Sequence, residues 1–168
     1  MRVVVVYESL WGNTEQVARH IAAGFEDSEV TVKSVEDATI DPDTELVIVG
    51  GPTHAFSMST EATRQPASQQ GATDIPSTGI REWIDAQPTP AKPVRVATFT
   101  TRTVAPRLPG SAAKKAMKRL VARGFHPLAK PETFDVHGYT GPVGDGEYER
   151  ARTWGAELAG LLPARPLS

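Results

Sequence analysis

A chain of 168 residues with a formal net charge of −2 has the size of one ordinary domain, enough to bury roughly two thirds of the surface exposed when unfolded. It contains no cysteine, which excludes disulfides, thiol nucleophiles and cysteine-ligated metal or iron–sulfur centres, so any redox chemistry has to come from a bound cofactor. No run approaches the ~20 apolar residues of a membrane span, and a strand pattern begins close to Met1 with no room for a cleavable leader, so the expectation is a single cytoplasmic domain over residues 1–168.

Val3 to Tyr7 is a continuous, β-branched apolar run, as expected of a parallel strand covered by helices on both faces. It leads into the turn Ser9-Leu10-Trp11-Gly12-Asn13-Thr14 and then into a helical stripe of Val17, Ile21 and Phe25. Asn13 suits an N-cap, with Gln16 three residues on as in a capping box. The first N–H groups of a helix lack intrahelical partners and carry the positive end of the macrodipole, so such a turn suits an anion. Ser9 and Thr14 add hydroxyls, and Gly12 permits close backbone approach. The same residues would also serve capping alone. No Gly-x-Gly-x-x-Gly follows the strand and no Gly-Lys-Ser/Thr ends the turn, which weighs against dinucleotide and nucleoside-triphosphate sites.

Val30 to Val35 alternates and reads as an edge strand, whereas Leu46 to Val49 is a second buried run that opens into Gly50-Gly51-Pro52-Thr53-His54-Ala55-Phe56-Ser57-Met58. Residues 57–78 are poor in large apolar side chains and longer than a usual connection. They read as a lid or as an insertion without a role, with room for a short helix near Thr60 to Gln65 capped by Ser59. Ile80, Trp83 and Ile84 mark a helix, Val94 to Thr100 a strand, and Thr98-Phe99-Thr100-Thr101-Arg102-Thr103 the loop at its end. Ala113, Met117, Leu120 and Val121 mark the next helix. Leu128 to Val136 is a strand that Pro131 confines to an edge, and Tyr148, Ala151, Trp154, Leu158 and Leu161 mark the last helix. Strand and helix alternate, and two edge-like strands fit the doubly wound order 2-1-3-4-5. Right-handed crossovers then carry the loops after strands 1, 3 and 4 to one crevice.

Together, the turn, the Gly-Gly-Pro-Thr-His segment and the Thr-rich segment resemble the flavodoxin family. The resemblance implies an α/β flavodoxin-like three-layer sandwich, with a five-stranded parallel sheet in the order 2-1-3-4-5, helices on both faces and FMN as cofactor. Ser9, Leu10, Trp11, Gly12, Asn13 and Thr14 fall on the family's Thr/Ser-x-Thr/Ser-Gly-x-Thr loop, which grips the FMN phosphate. Pro52, Thr53, His54, Ala55 and Phe56 fall on the loop along one face and edge of the isoalloxazine, although Phe56 also reads as core and His54 as a turn cap. Phe99, Thr100, Thr101 and Arg102 fall on the loop near the pyrimidine end. There Arg102 either stabilises an anionic reduced flavin by a charge-assisted hydrogen bond or simply reaches solvent or an acid on a neighbouring helix. The chain departs from the family pattern in three places. Trp11 replaces a hydroxyl residue, which points to weaker FMN binding. No glycine follows Pro52, so the peptide flip that stabilises one-electron-reduced flavin falls on a residue bearing a Cβ. The third loop has no Tyr to cover the outer flavin face.

The resemblance implies electron transfer between a reductase and an acceptor, with no catalytic acid–base residue and no metal. An NAD(P)H-dependent quinone- or nitro-reductase and a flavodoxin-like scaffold that has lost FMN are the alternatives. A phosphoacceptor receiver domain is rejected: Val49-Gly50-Gly51 stands where it needs an Asp, and Glu8 stands alone where it needs an acidic pair. Charge is segregated, with ten acids and three bases in residues 1–50 against eight bases and no acid in 101–130. Arg102, Arg107, Lys114, Lys115, Lys118 and Arg119 therefore form either a solvated face or a place where a redox partner docks near the flavin edge, on the basic 102–130 segment. Nucleic acid does not fit an acidic domain whose basic segment lacks interleaved aromatics.

Overall fold

Runs of β-branched residues buried on both sides separate the strands from amphipathic stretches buried every third or fourth residue. The resulting computed structural model describes residues 1–53, 58–60, 79–103, 110–138 and 140–163. In chain order the elements are β1 (Arg2–Tyr7), α1 (Asn13–Ala23), β2 (Glu29–Ser34), β3 (Leu46–Pro52), α2 (Ile80–Asp85), β4 (Arg95–Thr103), α3 (Ala112–Ala122), β5 (His126–Pro127), β6 (Glu132–Val136) and α4 (Glu147–Leu161). The strands pair in parallel in the order β2-β1-β3-β4-β5, with β6 also on β4. The flavodoxin-like order and the helices on both faces are as the sequence implies.

The expected single fifth strand is instead two pieces. His126 and Pro127 pair with Arg95 and Val96, whereas Glu132 pairs with Phe99, so residues 128–131 span a stretch that faces only Ala97 and Thr98 of β4. Pro131 has no N–H to give to a ladder, and the surplus residues loop out around it. β4 also runs on to Thr103, so the Thr98–Thr103 segment read as a loop is mostly strand.

Side-chain alternation sends Val3, Val5, Leu46, Ile48 and Phe99 to one face, where Val17 and Ile21 of α1 and Trp154 and Leu158 of α4 cover them. Val4, Val6, Val47, Val49 and Val96 go to the other face, beneath Ile80 and Ile84 of α2 and Ala116 and Leu120 of α3. Phe99, Phe134 and Trp154 meet edge to face, with centroids 6.0–6.3 Å apart. α1 and α4 touch backbone to backbone, because a Cβ at Gly155 would collide with the carbonyl oxygen of Ile21 and one at Gly24 with that of Arg152. Two stripe positions differ from the sequence reading. Val121 and Leu161 are 44% and 54% exposed, and Ala116 and Leu162 occupy the buried positions instead. No helix among the described residues is long and apolar enough to cross a membrane.

Candidate functional site

The parallel sheet brings the carboxyl ends of β1, β3, β4 and β6 to one side. At the end of β1, Gly12 takes a left-handed conformation (φ +88°) and is itself the residue before α1, which begins at Asn13. The expected Asn13–Gln16 capping box is therefore absent: no side chain caps this helix, and the Gln16 N–H donates to the Gly12 carbonyl. The Asn13 side chain packs instead against Gly141, where a Cβ would collide with its amide. Gly12 N–H donates to Ser9 Oγ at 3.0 Å, which fixes the turn. The next three N–H groups, of Asn13, Thr14 and Glu15, have no partner among the described residues. The indole Nε1 of Trp11 is also buried without one. Leu10 belongs to the core, at 5% exposure.

Threonines at the ends of β3 and β4 are satisfied among themselves. Buried Thr14 Oγ1 lies 2.7 Å from Thr101 Oγ1, joining the start of α1 to β4. Thr53 Oγ1 lies 2.7 Å from Thr100 Oγ1 and accepts from Ala112 N–H at 3.2 Å, joining β3 to the start of α3. Thr100 Oγ1 also donates to the Gly51 carbonyl, and Thr53 N–H donates to the Thr101 carbonyl. Phe99 is fully buried in the core under Gly50, where a Cβ would overlap its ring. Arg102 Nη1 donates to the Gly110 carbonyl at 2.7 Å, which ties its charge to the approach to α3. Pro52 ends β3 and is partly buried. His54, Ala55 and Phe56 lie outside the described residues, as does the short helix expected near 60–65 apart from Thr60.

Two participants escaped the sequence reading. Glu8 is 1% exposed and receives hydrogen bonds from Ser59 Oγ and, at 2.8 Å, from Ile80 N–H. Glu8 thus joins Ser59 to Ile80, and the cap expected of Ser59 concerns a helix that lies outside the described residues. A lone acid ending a buried apolar strand was the available signal. The second is the turn after β6, where Gly138 and Gly141 have positive φ and the Gly138 carbonyl accepts from Thr103 Oγ1 at 2.8 Å. Its glycine spacing was the signal, and it brings a fourth loop against the phosphate-type turn through Asn13.

Charges close to the turn are neutralised locally. Glu15 accepts from Arg19 at 2.9 and 3.1 Å, and partial burial, followed by the charge of the same carboxylate, raises the Tyr7 phenol above its ordinary pKa. Further along, Glu147 is held below the usual carboxylate range, first by hydrogen bonds from Arg150 and also by Asp135 N–H. A broad groove of about 1020 Å³ lined by His20, Gly24, Tyr148 and Arg152 lies between α1 and α4 and shares no residue with the turn. The turn, unlike the groove, lies at the carboxyl ends of the strands, where open α/β sheets receive their ligands.

Residues 5–129 match the flavodoxin family. The chain belongs to that family. Its fold is shared with a flavodoxin from Bacillus cereus at 20% identity and TM-score 0.67, over 97% of this chain and 100% of the other. An archaeal flavodoxin gives 20% identity and TM-score 0.64, over 95% and 97%. The two-electron-reduced flavodoxin of Megasphaera elsdenii gives 16% and 0.58, over 92% and 98%. No curated protein matches the chain. FMN is the cofactor of flavodoxins, and the residues present fit it. Three unspent backbone N–H groups and the positive end of α1 suit a phosphate. Trp11, which stands where the family pattern has a hydroxyl, keeps an indole N–H without a partner among the described residues.

Proposed function

We propose that this flavodoxin is an FMN-dependent electron carrier working between a reductase and an acceptor in the cytoplasm. The observation that carries the proposal is the pairing of an unsatisfied donor set at the turn with walls whose own hydroxyls are already satisfied. FMN, when bound, supplies the electron-accepting and electron-donating chemistry. The N–H groups of Asn13, Thr14 and Glu15 bind its phosphate, and Gly12 lets the backbone approach it. Thr14, held by Thr101, has a lone pair or proton left to direct at the phosphate, since a hydroxyl both donates and accepts. Thr53 and Thr100 lock the ends of β3 and β4 so that the ring pocket keeps its shape. Arg102 contributes a fixed positive charge that favours reduced, anionic flavin.

A carrier is favoured over a self-sufficient reductase by how the nearby ionisable side chains are used. Glu8 serves Ser59 and Ile80 and Glu15 serves Arg19, so each carboxylate has a structural task. A cysteine-free chain also suits a reducing compartment. Anaerobic stopped-flow spectroscopy of the FMN-loaded protein tests the proposal. NADPH alone is expected to leave the flavin absorbance unchanged for minutes, and a trace of a flavin-containing NADPH reductase is expected to bleach it. Bleaching by NADPH alone, followed by steady turnover with a quinone, would overturn the carrier reading in favour of a direct reductase.

A further inference from the structure

We propose that the exposed lysine ridge of α3 is the docking surface for a redox protein whose own prosthetic group is ringed by carboxylates, an inference that rests on the electron-carrier reading. α3 turns Ala112, Ala113, Ala116 and Leu120 inward and Lys114, Lys115 and Lys118 to solvent. Among the described residues these three lysines have no ion-pair partner, whereas Arg119 beside them pairs with Asp85 at 3.1 Å and Arg123 donates to the Gln87 carbonyl. Among the described residues the ridge is therefore an uncompensated positive surface.

Helix stability does not account for it. The first turns of α1, α2 and α4 carry Glu15, Glu82 and the pair Glu147 and Glu149, as the macrodipole favours. The first turn of α3 has no acid, and it carries Lys114 and Lys115 where cations are disfavoured. Lys114 and Lys118 add a like-charged i,i+4 pair. A ridge that opposes both local rules is better explained by what meets it from outside.

Its position suits electron transfer. Ala112 N–H donates to Thr53 Oγ1, and the Gly110 carbonyl accepts from Arg102, so α3 starts directly at the walls of the flavin site. At 1.5 Å of rise per residue, Lys118 lies only about 6 Å further along the axis than Lys114. One group of acids, Glu29, Asp41 and Asp43, surrounds Arg2 at the start of β1, at the opposite end of the strands from the turn. An exposed cationic helix that starts at the walls of the flavin site draws an acidic partner toward that site.

The test uses the FMN-loaded protein with a reduced plant-type [2Fe–2S] ferredoxin, an acidic protein that delivers one electron from its cluster to the flavin. The triple variant K114E/K115E/K118E keeps the helix, since Glu is as good a helix former as Lys and acids are welcome in the first turn, where Lys114 and Lys115 lie. The second-order rate at about 10 mM ionic strength is expected to fall at least about tenfold in the variant, and the wild-type rate is expected to fall as ionic strength rises to about 200 mM. With basic cytochrome c as acceptor from the reduced protein, the same variant is expected to react faster. An unchanged ferredoxin rate, or equal losses with both partners, would overturn the docking surface. If the chain takes up no FMN, the carrier reading fails on that result alone. Calorimetric titration of the same ferredoxin onto the flavin-free protein then decides the surface separately: salt-sensitive binding lost in the triple variant upholds it, and binding indifferent to the variant, or none in the wild type, overturns it.

Discussion

The turn after β1 and the threonine walls at the ends of β3 and β4 are built from similar residues yet stand in opposite states of satisfaction. In the walls, Thr53, Thr100 and Thr101 spend their hydroxyls on one another, on Thr14 and on the backbone. In the turn, three consecutive N–H groups and an indole N–H have no partner among the described residues. The first N–H groups of a helix have no partner within it, and an anion is one of the groups that can complete them. On the proposed reading, the binding site is a set of unspent donors held in place by a well-bonded frame.

The largest expected effect breaks the frame. Gly50→Ala drives a Cβ into the Phe99 ring. Phe99 cannot give way because Phe134 and Trp154 hold it edge to face. Overpacking of this kind is expected to destabilise the fold by about 3 kcal/mol, read as a lowered midpoint in urea denaturation. A midpoint close to wild type would show that the wall is softer than described.

Smaller effects separate frame from turn. Thr53→Ala and Thr14→Ala each remove one hydroxyl of a bonded pair and are expected to cost about 1 kcal/mol of stability. Only Thr14→Ala is expected to weaken FMN more than riboflavin, which lacks the phosphate, by about tenfold. Thr53→Ala is expected to affect both flavins alike. Equal losses for both flavins in Thr14→Ala would remove that side chain from phosphate binding.

The smallest effect concerns the clip between α4 and β6, remote from the turn. Arg150 bonds Glu147 and the Thr133 carbonyl, and it lies 4.5 Å over the Phe134 ring. The folded-state pKa of Glu147 is depressed, so its contribution is fully present above the unfolded value and is lost as pH falls through the folded value. Wild type is thus expected to be more stable than Glu147→Gln at pH 7, by under about 1 kcal/mol because the pair is partly solvated, and the two curves are expected to converge in acid. A pH-independent gap would mean that Glu147 acts through shape rather than charge.

What the sequence made legible follows the range of the physics involved. Strand order was readable because burial on both faces leaves continuous β-branched runs in β1 and β3, and an alternating or Pro-broken pattern at the edges. The split into β5 and β6 was not, since the extra residues are visible only against the register of β4. The donor-rich turn was readable from Ser9 to Thr14, but the start of its helix was misplaced by one residue. Gly141, far along the chain, claims the Asn13 side chain that local rules assign to capping. Glu8 stayed unexplained for the same reason, as Ser59 and Ile80 reach it only in the fold.

The central claim is that the turn after β1 holds a phosphate, and titration of the flavin-free protein with FMN and with riboflavin, followed by flavin fluorescence, tests it most directly. FMN is expected to bind at least about a hundredfold more tightly, a difference of roughly 2.7 kcal/mol supplied by the phosphate. Equal affinity for the two flavins, or no change in fluorescence with FMN, would contradict it.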